Sequence, residues 1–95
     1  MKEVIVKLSR GKIERIMKSV IKDGMSVTSF NDKTQARNTF ETMKRAGTNC
    51  SFRDDCIIQF FLNKSESEIV EMAKQQVNQM AKGLDLKMEI QTNDI

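Results

Sequence analysis

Ninety-five residues with no Pro and only four Gly make one domain, residues 1–95, with room for a sheet and a layer of helices but none for a second domain or long linkers. The absence of His removes Ser-His and Cys-His nucleophile pairs, the commonest general base and most zinc sites. The net charge of +3 is unevenly spread: residues 1–45 hold eleven Lys/Arg against five Asp/Glu, and residues 46–95 hold five against eight.

Val4, Val6 and Leu8 alternate with Glu3, Ile5 and Lys7, the period of a first strand. Charges inside this stretch rule out a signal peptide, and no run approaches the roughly 20 apolar residues of a membrane span. The chain reads as soluble and cytoplasmic, with reduced thiols. Ser9 is placed to cap a helix in which Ile13, Ile16, Met17, Val20 and Ile21 recur at helical spacing, with Gly24 as its left-handed end. Lys12, Arg15, Lys18 and Lys22 would occupy the opposite side of that helix.

Met25 to Phe30 predicts a second strand. Asp32 with Gln35 resembles a capping box, opening a helix whose apolar stripe is Ala36, Phe40 and Met43 and which ends at Gly47. Lys33, Arg37 and Lys44 line up beside that stripe. Thr48 to Phe52 is a short strand, and Arg53-Asp54-Asp55 is a turn leading into Cys56–Leu62. That last run is the longest near-continuous apolar stretch, expected to be covered on both faces and to gather the other elements around it.

Ser65 with Glu68 is a capping box for a further helix, with Ile69, Val70, Ala73, Val77, Met80 and Ala81 on one face and Gly83 as its stop. Leu84, Leu86, Met88 and Ile90 alternate with polar residues as a final strand, followed by a frayed tail over 92–95. The expected fold class is α+β, a single two-layer α/β sandwich of order β-α-β-α-β-β-α-β, ferredoxin-like in flavour with an extra helix.

Chemistry-bearing motifs are few. Cys50 and Cys56 allow one disulfide at most and read as small hydrophobes in strands, with a cross-strand redox pair as the alternative. Asp54 and Asp55 are the only adjacent carboxylates; a turn is the expected role, and a Mg²⁺-dependent nuclease site the alternative. The isolated glycines build no phosphate loop. No cofactor and no metal site is expected.

The basic residues are the functional lead. Arg10, Lys12, Arg15, Lys18 and Lys22 on one predicted helix and Lys33, Arg37, Lys44 and Arg45 on the next would merge into a stripe for phosphates, RNA before DNA, or for an acidic protein surface. Phe30 and Phe52 are the aromatics available for stacking bases. Seven Met and the alternation of the last strand suggest a second class of protein, a homodimeric interaction module paired through a sheet edge and binding no nucleic acid.

In general character (tiny, basic, Lys- and Met-rich, without His, Pro, Trp or Tyr) the chain resembles the small accessory proteins of bacteriophages that bind and redirect host machinery. The resemblance implies a non-catalytic regulatory or inhibitory binder in a bacterial host cell. One form would be an antitoxin-type inhibitor engaging a host nuclease and its nucleic acid together.

Overall fold

The computed structural model describes all of residues 1–95. Its elements are β1 (Lys2–Arg10), β2 (Ile13–Lys22), β3 (Met25–Phe30), α1 (Lys33–Arg45), β4 (Cys50–Arg53), β5 (Cys56–Phe60), α2 (Glu66–Leu84) and β6 (Lys87–Asp94). The strands form one antiparallel sheet in the order β4-β5-β3-β2-β1-β6. The protein is thus a small α+β domain with a six-stranded sheet and two helices. None of its helices is long and apolar enough to cross a membrane.

The helix expected after Ser9 is a strand. Four of its five apolar residues, Ile13, Ile16, Val20 and Ile21, are β-branched, which disfavours a helix and suits a pleated surface. Arg10 pairs with Ile13 across Gly11-Lys12, and Gly11 has φ +60, so β1 and β2 close a two-residue hairpin turn. The helical spacing was a coincidence of two strand faces. Met17 and Ile21 lie on the face towards the helices, Ile16 and Val20 on the other.

The other expected elements exist, with shifted ends. Asp32 accepts from the Thr34 and Gln35 backbone N–H groups and caps α1. Ser65 and Glu68 form the reciprocal capping box of α2. Gly83 does not stop α2, which runs to Leu84 and ends on Asp85 at φ 54, a conformation Asn and Asp tolerate better than most residues. Leu84 and Leu86 therefore precede the last strand. The tail is not frayed: Thr92, Asn93 and Asp94 pair with Val4, Glu3 and Lys2.

From Met25 onward the succession is β-α-β-β-α-β, and β5 lies antiparallel between β3 and β4. The β1–β2 hairpin is inserted between β3 and the last strand, where a ferredoxin-like order would pair them directly. The order predicted from sequence therefore holds except at its second element.

The core is organised by β1, not by Cys56–Leu62. Val4, Val6 and Leu8 cluster with Ile21 of β2 and with Ile69, Val70 and Ala81 of α2. β5 is covered on one face only: Ile57 is buried, while Phe60 is 45% exposed and Leu62 lies outside the strand at 87%. The opposite sheet face carries a cross-strand row, Val20–Val27–Ile58, that no helix covers. Lys18–Glu3 (3.1 Å) and Lys7–Glu14 (3.3 Å) ion pairs flank it.

Candidate nucleic-acid interface

The nine predicted basic residues fall into two separate groups. Arg10 and Lys12 sit at the β1–β2 turn, and alternation along β2 sends Arg15 to the helix side and Lys18 and Lys22 to the uncovered side. Lys18 is engaged by Glu3, whose carboxyl is held below its ordinary range by hydrogen bonds from Lys18 and then Asn93. These five are divided between the two sides of the sheet: Arg10 and Arg15 line one concavity beside Leu84 and Leu86, and Lys18 and Lys22 lie on the other side. The other four, Lys33, Arg37, Lys44 and Arg45, are on α1, which contacts β3, β4 and β5 but neither β1 nor β2. The single stripe expected from two adjacent basic helices therefore does not form, because one of those helices is a strand.

On α1 the arrangement is tighter than charge spacing alone foretells. Lys33, Arg37, Phe40 and Lys44 follow one another at four- and three-residue steps and so share one face. Ala36, fully buried, anchors the adjacent stripe to the sheet. β4 then brings Phe52 against this helix: its ring lies 5.3 Å from that of Phe40, tilted by 37°. The Arg37 guanidinium lies over Phe52 at 5.5 Å, and the Lys44 ammonium over Phe40 at 5.9 Å.

The result is a continuous ledge of cation, ring, ring and cation, Arg37–Phe52–Phe40–Lys44. Cations over ring faces are drawn there by the ring quadrupole, by about 0.5–1 kcal/mol at exposed sites. Lys33 extends the ledge at one end and Arg45 at the other. Their ion pairs, Lys33–Asp55 at 3.4 Å and Arg45–Glu41 at 3.9 Å, are solvent-exposed and hold these cations weakly. Phe52 is among the aromatics expected to stack; Phe40, expected only to pack, joins it. Phe30 does not belong to the ledge: it lies on β3, facing the helices.

The remaining candidates lie in the β4–β5 hairpin. Asp54 and Asp55 both take positive φ, 53 and 60, and make the two-residue turn between Arg53 and Cys56. No group of three or more metal-ligating side chains exists here or elsewhere. Cys50 is buried on the helix side and Cys56 is half-buried on the opposite side, so a cross-strand redox pair does not form. No protein-family model, no curated protein and no solved structure matches the chain.

Proposed function

We propose that this protein is a small non-catalytic binding module, a two-layer α/β sandwich whose α1–β4 ledge holds single-stranded nucleic acid, RNA before DNA, in a regulatory or inhibitory role of the antitoxin type. The observation that carries this reading is the Arg37–Phe52–Phe40–Lys44 stack with Lys33 and Arg45 at its ends. Cations contact phosphates, while a ring or a guanidinium plane offers a base a stacking surface that any base satisfies, about 1–3 kcal/mol each. Such a ledge reads backbone and shape rather than sequence.

The test is fluorescence anisotropy with a short U-rich RNA. Four cations at about 0.7 counterions per phosphate on a single strand give a salt slope near 3, so an about fourfold rise in salt weakens binding about 50-fold. Arg37→Glu with Lys44→Glu should abolish binding while the circular dichroism spectrum is retained. Lys18→Glu with Lys22→Glu, on the opposite sheet face, should leave it unchanged. Binding that ignores salt, or that survives the ledge reversal, refutes the proposal.

A second reading, the homodimeric interaction module, is favoured by the uncovered Val20–Val27–Ile58 row and the exposed Phe60. A salt-insensitive dimer that retains no RNA and is unaffected by the ledge reversal would decide for it.

A further inference from the structure

α1 packs on β3, β4 and β5, α2 packs on β1, β2, β3 and β6, and no Cα atom of one helix comes within 8 Å of a Cα atom of the other. Between them is a cavity of about 150 Å³, walled by Thr39 and Met43 of α1 and by Met72, Ala73, Gln76 and Met80 of α2. Its floor is unusual for a sheet beneath helices. Ser19, Ser26 and Thr28 stand at the centre, where bulky apolar side chains would otherwise close the gap.

Ser19 Oγ and Thr28 Oγ1 are 2.8 Å apart and share one hydrogen bond. Two hydroxyls carry two O–H donors, and that bond uses one of them. The other O–H has no acceptor in the protein, so the half-buried pair retains one donor for an incoming oxygen. A volume of about 150 Å³ is enough to admit a benzene-sized molecule. An apolar concavity with a few convergent polar groups is the general form of a small-molecule site.

We propose that the cleft between α1 and α2 binds a compact apolar molecule of single-ring size carrying one oxygen, which accepts a hydrogen bond from the Ser19–Thr28 pair. The site is separate from the basic ledge, since neither Phe40 nor Phe52 lines it.

The methionines provide the readout. Met17, Met43, Met72 and Met80 line the cleft, whereas Met1, Met25 and Met88 do not. With ¹³C-methyl-methionine protein titrated with p-cresol, the first four methyl signals should shift saturably and the other three should stay still. Ser19→Ala together with Thr28→Val, which removes both hydroxyls of the pair, should weaken p-cresol about fivefold and leave toluene unaffected. Ala73→Leu, which fills the cavity, should abolish both. Thr39→Leu from the opposite wall does the same work if Ala73→Leu does not fold. Shifts that fail to saturate, or that include Met25 and Met88 equally, overturn the site. Equal binding of p-cresol and toluene with no effect of the Ser19→Ala, Thr28→Val pair overturns the assigned ligand chemistry.

Discussion

Val20 and Ile21 are adjacent in the chain, and their fates separate a strand from a helix over 13–22. On a helix both belong to one apolar stripe, and truncating either costs about the same. In the strand they face opposite ways. Ile21 is fully buried in the cluster with Val4, Ile69 and Val70, while Val20 is half-buried between Glu3 and Val27 on the uncovered face. Ile21→Ala removes three carbons from a site that cannot refill and should cost about 3–4 kcal/mol. Val20→Ala removes two carbons from a half-covered site, at about 0.8 kcal/mol per fully buried carbon, and should cost about 1 kcal/mol. A domain of 95 residues has a total stability on the order of 5–14 kcal/mol, so the first loss is a large share and the second a small one. Urea unfolding followed by far-ultraviolet circular dichroism measures both. With a slope of about 1–1.5 kcal/mol/M, the midpoint should fall by about 2–4 M for Ile21→Ala and by about 1 M or less for Val20→Ala. Costs within about 0.5 kcal/mol of each other would refute the strand and its register.

Three further outcomes are expected. Asp23, in the β2–β3 turn, accepts the Glu66 backbone N–H at 2.8 Å, and Ser65 accepts that of Glu68 at 3.2 Å, so α2 is capped twice. Asp23→Ala and Ser65→Ala should each cost about 1 kcal/mol, a melting-temperature drop of about 4–8 °C; unchanged melting refutes the caps. Glu3, Glu68 and Asp94 are held below their ordinary range, by Lys18, by the Ser65 backbone N–H and by Lys2 respectively. Their folded values lie below the unfolded value of about 4, so their contribution is complete above it and is lost as pH falls through the folded values. Melting temperature should fall on acidification below about pH 4, and less in Glu3→Gln; a rise on acidification refutes the argument. Towards an aromatic disulfide reagent, Cys56 should react in the folded protein and Cys50 only on unfolding. Two equally fast thiols would contradict their placement on opposite faces.

What the chain announces locally, it forms. The capping box at Ser65 and Glu68, the Asp32 cap and the alternation of β1 are short-range signals, and each element stands where those residues set it. The misread stretch, 13–22, has apolar residues on both strand faces, and two interleaved rows of period two mimic one row of period 3.6. The pairing that orders 92–94 lies in residues 2–4, at the other end of the chain, and no local pattern records it. The ledge was half visible. The spacing of Lys33, Arg37 and Lys44 is in the sequence, but Phe52 reaches them only because β4 packs beside α1. Asp23 caps a helix that starts 43 residues later, which only the fold discloses.

The antiparallel pairing of β6 with β1 bears on how the molecule is made. β1 supplies Val4, Val6 and Leu8, yet the helix that covers it, α2, and its outer neighbour, β6, are translated more than 50 and 70 residues after it. At about 5–20 residues per second, the ribosome takes several seconds to bring them out. Until then the early hairpin presents a bare hydrogen-bonding edge and an unshielded valine–leucine face, the surface on which nascent strands associate wrongly. Crowded, rapid expression should therefore send this chain into aggregates more readily than its small size suggests. Slower synthesis at lower temperature should recover it.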